Sequence, residues 1–227
     1  MKTIPEKIVD KILFKISDAL KNPWWFVSFN INVMYRLFGF KNFKEWWAIR
    51  RNMYAPPSKE RAELGRQLFP GISDDEDALR LSCLIPLFES VNLSLKDISS
   101  IFEVGGGYGA MARAIRATGY KGRYVIKDLP VFEKLQDYYT DVEHGILENP
   151  DLFIAWRSLS EIVPTSGRKI FEDVLEHSKY VLVSYQSEYH GVNNVDYFKS
   201  LASMITNKKW IHKGVDTPHC YLIGIPS

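Results

Sequence analysis

Residues Ile101-Phe102-Glu103-Val104-Gly105-Gly106-Gly107-Tyr108-Gly109-Ala110-Met111-Ala112 constrain this chain more than any other stretch. An apolar run of strand type ends in glycines and passes straight into a helical pattern. Glycine is needed where the backbone turns sharply or approaches a ligand with no Cβ in the way. A helix that starts directly after such a turn presents unsatisfied amides and the positive end of its dipole. The stretch therefore reads as a strand, a tight loop and a helix, the opening half of a βαβ unit.

The rest of the chain after about Ile98 repeats that grammar. Ile98–Val104, Arg123–Lys127, Leu152–Trp156 and Tyr180–Ser184 read as buried strands, with a short third strand around Val142–Ile146. Helices are expected near Ala110–Thr118, Pro130–Tyr139, Gly167–His177 and Val195–Thr206. Strand and helix in alternation imply a parallel sheet covered on both faces. Lys209–His212 and Cys220–Ile225 flank Gly214-Val215-Asp216-Thr217 like a hairpin, which makes the last strand antiparallel. Between Tyr139 and Leu152 there is no room for a further helix after the third strand.

The N-terminal part differs in kind. Residues 1–66 hold 13 Lys or Arg against 6 Asp or Glu, whereas 67–227 hold 16 against 21, so a net charge of +2 hides a basic front and an acidic remainder. Four of the six tryptophans, Trp24, Trp25, Trp46 and Trp47, lie in the front. Ile4, Ile8, Ile12, Leu13, Ile16 and Leu20 recur at helical spacing between Pro5 and Pro23, and Asn42-x-x-Glu45 and Ser73-x-x-Glu76 resemble capping boxes. Pro86 is expected to kink or end the helix that begins near Ser73. The division that follows is an N-terminal helical cap over residues 1–95 and a sheet domain over 96–227. The aromatic front suits a cap over the active site, a homodimer surface or contact with a membrane surface, with most of its rings expected to be core between helices and sheet.

Composition excludes several classes. A chain with 46% hydrophobic and 25% charged residues is globular, and its near balance of charge gives no nucleic-acid signature. Cys83 and Cys220 lie far apart without Cys-x-x-Cys spacing, and the histidines have no metal-ligand spacing, so neither disulfide framework nor metal is expected. Reduced thiols and the charged start (Lys2, Glu6, Lys7, Asp10, Lys11) point to a cytoplasmic protein without a signal peptide. The uncharged run from Asn22 to Tyr35 is shorter than the roughly 20 apolar residues a membrane span needs.

Two nucleotide-type ligands compete for the glycine loop. Gly105, Gly107 and Ala110 satisfy the dinucleotide fingerprint G-x-G-x-x-G/A, while Gly105, Gly107 and Gly109 satisfy G-x-G-x-G. Asp128 follows 23 positions after Gly105, at the end of the next strand, where a carboxylate can take both hydroxyls of a ribose or instead cap the helix after Pro130. With Glu103 two positions before the first glycine, the pattern resembles the class I S-adenosylmethionine-dependent methyltransferases. Glu103 to Gly109 followed by Asp128-Leu129-Pro130, Ser158-Leu159-Ser160-Glu161 and Ser184-Tyr185-Gln186 is similar to the bacterial sugar O-methyltransferases in particular. The resemblance covers residues from about Ile98 onward. It implies an α/β, Rossmann-like methyltransferase sheet, mostly parallel with an antiparallel last strand, and S-adenosylmethionine as cofactor. It further implies cofactor contacts from Glu103, Gly105, Gly107, Tyr108, Gly109, Asp128 and Leu129.

Ligands of open α/β sheets bind beyond the carboxyl ends of the strands. A sulfonium methyl is already electrophilic, so the protein's work is to align an acceptor, exclude water and remove the proton of a hydroxyl acceptor. Glu161, just after the fourth strand, and His190, whose side chain titrates near neutrality, are the candidate bases. Ser160, Tyr185, Gln186 and Glu188 are candidate contacts to a small polar acceptor such as a sugar. A nicotinamide-dependent oxidoreductase and a catalytically silent cofactor-binding scaffold stay open beside the methyltransferase reading.

Overall fold

The apolar runs pair side by side in one sheet because their side chains, alternating across the backbone, find cover on both faces. The computed structural model describes residues 59–72, 75–91, 93–107, 109–162, 166–189, 191–214 and 219–227. The expected helix at Ile4–Leu20, the capping boxes at Asn42 and Ser73, Tyr108 and His190 lie outside them. Residues 59–227 form one compact unit.

The strands are β1 (Ser100–Val104), β2 (Arg123–Lys127), β3 (Glu143–His144), β4 (Leu152–Trp156), β5 (Tyr180–Gln186), β6 (Glu188–Tyr189), β7 (Val192–Asn193), β8 (Lys208–Gly214) and β9 (His219–Pro226). Seven of them form one sheet in the order β3-β2-β1-β4-β5-β9-β8, and β6 with β7 forms a small separate ribbon. The β3, β2, β1, β4 and β5 pairings are parallel, whereas β9 runs antiparallel to both β5 and β8. This is the Rossmann-like sheet with an antiparallel last strand that the sequence implied. The expected hairpin is β8 and β9, whose connection at 215–218 is outside the described residues.

The helices are α1 (Lys59–Leu68), α2 (Asp75–Ser82), α3 (Ile85–Phe88), α4 (Ala110–Ala117), α5 (Pro130–Tyr139), α6 (Ser158–Glu161), α7 (Ser166–His177) and α8 (Asn194–Met204). One face of the sheet presents Ile101, Ile126, Leu152, Ile154, Leu182 and Ile223 to a core shared with Ala62, Ala78, Leu81 and Leu84 and with Met111 and Ile115. The opposite face presents Phe102, Val104, Val125, Phe153, Val181 and Val183 to Leu159, Val174, Leu175, Phe198 and Leu201. Helices α1 to α3, read from sequence as part of a cap, thus share a core with the sheet. Pro86 occupies the first turn of α3, where its missing amide is harmless, and α2 ends before it at Ser82.

Two local details have physical causes. Strand β1 begins at Ser100 rather than Ile98, because Asp151 accepts hydrogen bonds from Ser99 N (2.7 Å), Ser99 Oγ and Ser100 N (3.2 Å), and a short 3₁₀ turn at Leu95–Asp97 precedes it. The third strand shrinks to two residues paired with Val125 and Ile126, and the chain crosses from His144 to Leu152 with no helix between, as the spacing required.

Candidate active site

The glycine loop lies between β1 and α4 at the carboxyl end of the sheet. Gly105, Gly107 and Gly109 all have left-handed backbones, with φ of 71°, 59° and 80°. Their surroundings differ. A Cβ on Gly105 would meet Ser158 Cβ at 2.3 Å and one on Gly109 would meet Thr140 Cγ2 at 2.4 Å, whereas one on Gly107 would meet nothing within 4 Å among the described residues. Two glycines therefore make room for protein and the third opens onto free space. Gly109 is the N-cap of α4 and supplies no side-chain cap, so the first amides of that helix have no partner of the usual kind.

Asp128 braces this loop. Its Oδ2 accepts from Gly107 N (2.7 Å) and Gln136 Nε2 (3.2 Å), and its Oδ1 accepts from Leu129 N (2.7 Å). Gln136, fully buried, also donates to Gly107 O at 2.7 Å, and Glu133 accepts from Asp128 N at 3.2 Å while paired with Lys127 at 2.7 Å. Burial pushes the Asp128 carboxyl up, opposed by the Leu129 and Gly107 amides and by Gln136. The N-cap of α5 is Leu129, with no side-chain cap, so Asp128 does not cap that helix. Leu129 itself is exposed.

Glu103 lies beneath the loop, 2% exposed, on the face of β1 that also carries Ile101. The buried Tyr124 hydroxyl donates to Glu103 Oε2 at 2.8 Å. Desolvation raises the Glu103 carboxyl to about 7, against the Tyr124 hydrogen bond and the charge of Arg80, which lower it, and with the charge of Asp128, which raises it.

The second half of the site follows β4. Arg157 is the one non-glycine residue with positive φ (64°) among those described, and its amide donates to Ser184 O at 2.8 Å. Ser158 Oγ donates to Val104 O, so this turn is bonded to the end of β1 and packs on Gly105. Three residues on, Glu161 is half-buried, with Gln186 Nε2 3.3 Å from its Oε1. Burial raises the Glu161 carboxyl to about 7, opposed by the charge of Arg157. Burial likewise lifts the Tyr189 hydroxyl to about 12, helped by the charge of Glu161.

Of the sequence-predicted residues, the fold brings Gly105, Gly107, Gly109 and Asp128 into one bonded loop with Glu103 buried beneath it, and joins Glu161 with Gln186 beside it. Glu188 is exposed on the β6 ribbon. Ser160 is buried, its Oγ donating to Arg157 O at 2.6 Å, and the Tyr185 ring lies in the core, 4.5 Å from that of Phe198. Sequence reasoning missed Gln136, Tyr124 and Ser158. For Gln136 a signal existed, since Glu133 and Gln136 sit three apart and turn one polar helix face to the end of β2. No group of three or more His, Cys, Asp or Glu among the described residues is placed to hold a metal ion.

No protein-family model matches the sequence, and no curated protein matches it. Among solved structures, the chain is similar to a Thermoplasma acidophilum protein at 14% identity, covering 74% of this chain and 97% of that one with a TM-score of 0.46. It is similar to human N-acetylserotonin methyltransferase, determined in complex with S-adenosylmethionine, at 13% identity over 86% of this chain and 70% of that one (TM-score 0.47). An O-methyltransferase family protein from Burkholderia thailandensis is similar at 12% identity over 82% and 70% (TM-score 0.44).

Proposed function

We propose that this chain is an S-adenosylmethionine-dependent methyltransferase that methylates a hydroxyl of a small polar acceptor, with a sugar as the substrate class. The observation that carries the reading is the glycine loop: three left-handed glycines at G-x-G-x-G spacing, with Gly107 open to free space and Asp128 bonded to its amide. Ala110, buried in the first turn of α4, would also fit the third position of the dinucleotide spacing, while the left-handed Gly109 fits the G-x-G-x-G spacing. The antiparallel β9 between β5 and β8 favours the same reading.

The residues present suit the cofactor. The uncapped start of α4 and the open side of Gly107 form a cradle for its polar part. Among the described residues Asp128 Oδ1 accepts one of the two hydrogen bonds such an oxygen can take, which leaves capacity for a ribose hydroxyl. Exposed Leu129 offers an apolar edge beside it. When bound, S-adenosylmethionine supplies a methyl group on a positively charged sulfur.

Glu161 is the residue assigned to take the acceptor's proton on its carboxylate. A base near 7 is poised for this at neutral pH, and Gln186 holds its Oε1. His190 is the other candidate base. Gln186 and Glu188 are assigned to acceptor hydroxyls, and Arg157, held in a strained conformation, fixes the start of the turn.

The test is transfer of labelled methyl from S-adenosylmethionine to a panel of sugars and sugar nucleotides. Glu161→Gln is expected to lower kcat by about 10²–10⁴ while the affinity for S-adenosylhomocysteine stays unchanged. Undiminished transfer by Glu161→Gln, with loss in His190→Ala, would move the base to His190.

A further inference from the structure

Glu161 ends a helix of only four residues, Ser158–Glu161, too short to be held by its own helical bonds. Its start is bonded to the sheet through Arg157 N and Ser158 Oγ, and its end is held from two other helices. The carbonyl before it, Ser160 O, accepts from Asn194 Nδ2 at 3.4 Å, and the carbonyl after it, Ile162 O, accepts from Arg168 Nη1 at 3.0 Å. Both donor side chains are fully buried. Asn194 N donates in addition to Ser187 O at 2.9 Å, next to Gln186, whose amide reaches Glu161.

These are expensive residues to bury. Arg168 Nε and Nη2 and Asn194 Oδ1 have no hydrogen-bond partner among the described residues. Arg168 lies 3.6 Å over the Tyr197 ring and 5.1 Å from that of Phe198, with Glu172 3.8 Å from its Nε and accepting from the Tyr197 hydroxyl. Burial pulls its pKa down, against the pull of Tyr197 and Glu172. An apolar side chain of similar volume would fill this site at less cost. Besides these contacts, the guanidinium gives its Nη1 hydrogen bond to Ile162 O.

We infer that Arg168 of α7 and Asn194 of α8 are positioning residues for Glu161, pinning the peptide carbonyls on either side of it so that its carboxylate stays half-buried beside Gln186. The inference rests on Glu161 as the base. The groups that act on Glu161 are Arg157 of its own turn, Gln186 of β5 and Tyr189 of β6, with the Arg168, Glu172 and Tyr197 cluster behind Ile162.

The experiment is carboxyl-carbon NMR of the full chain labelled in glutamate, titrated through neutral pH, with Glu161→Gln identifying the signal. In the unaltered chain Glu161 titrates at about 7. Arg168→Met, which keeps the stem against Tyr197, and Asn194→Ala each release one carbonyl. The turn then meets water, and the midpoint falls by about one pH unit toward the ordinary carboxylate range. Asn194→Ser serves as a milder third variant should the others not fold. A midpoint unchanged in every folded variant, alongside a lowered melting temperature, would overturn the inference and leave both residues as packing. Methyl transfer that survives Glu161→Gln would instead count against Glu161 as base, while a shifted midpoint would still stand.

Discussion

Gly105 and Gly107 share a left-handed backbone and two positions of sequence, yet they answer to different demands. At Gly105 the missing Cβ is replaced by Ser158; at Gly107 it is replaced by nothing. Gly107→Ala is expected to lower stability by only about 1–2 kcal/mol, the strain of a left-handed alanine, while weakening S-adenosylhomocysteine binding at least tenfold. Gly105→Ala is expected to lower stability by about 3 kcal/mol or more, because strain and overpacking add. Urea melts beside titration calorimetry separate the two, and equal losses of stability would contradict the difference in environment. Glu103 gives a pH test. Its folded carboxyl titrates near 7 against an ordinary 4.5, so the folded state keeps a proton that the unfolded chain has lost. That stabilisation is complete below about 4.5 and disappears as pH rises through 7. Glu103→Gln, which stays neutral, is therefore expected to gain on the order of 3 kcal/mol relative to the unaltered chain between pH 4.5 and 8, read from urea melts. A constant difference across that range would mean that Glu103 is charged when folded.

Among elements, helices α1 and α2 cross with almost no space between them. A Cβ on Gly65 would lie 1.8 Å from Ala78 O, so the helices can approach this closely only at a glycine. Gly65→Ala gains intrinsic helix propensity of about 1 kcal/mol yet is expected to destabilise by about 2 kcal/mol or more, since backbone must move. A raised melting temperature would contradict the crossing. The sequence pattern of α1 gave no hint of this contact, because a lone glycine in a helical stretch does not say what it faces. The strands were legible for a clear reason: both faces are buried, so Arg123–Lys127 and Leu152–Trp156 were read to the residue. The start of β1 was not, because it is set by a partner distant in sequence, Asp151 for Ser99, whereas the end of α2 near Pro86 was signalled by the proline itself. The site divides in the same way. Glycines, Glu103, Asp128 and Glu161 stand at or just after strand ends and can be found by counting, whereas Gln136, Arg168 and Asn194 act from other helices.

For the whole molecule, the charge division read from the sequence now meets the fold: acidic residues 67–227 contain the entire sheet, and within the compact unit that starts at Lys59 helices α1 to α3 are bound into its core. The glycine loop, the Asp128 brace and the Glu161 turn all converge at one end of that sheet through Gly107–Asp128 and Ser158–Val104 bonds. We propose that this end of the sheet holds S-adenosylmethionine. Titration calorimetry of the full chain with S-adenosylhomocysteine, and separately with NAD and NADP, tests it most directly. One site for S-adenosylhomocysteine, weakened at least tenfold in Gly107→Ala and absent for both dinucleotides, is the expected result. Binding of a dinucleotide with no heat from S-adenosylhomocysteine would contradict it.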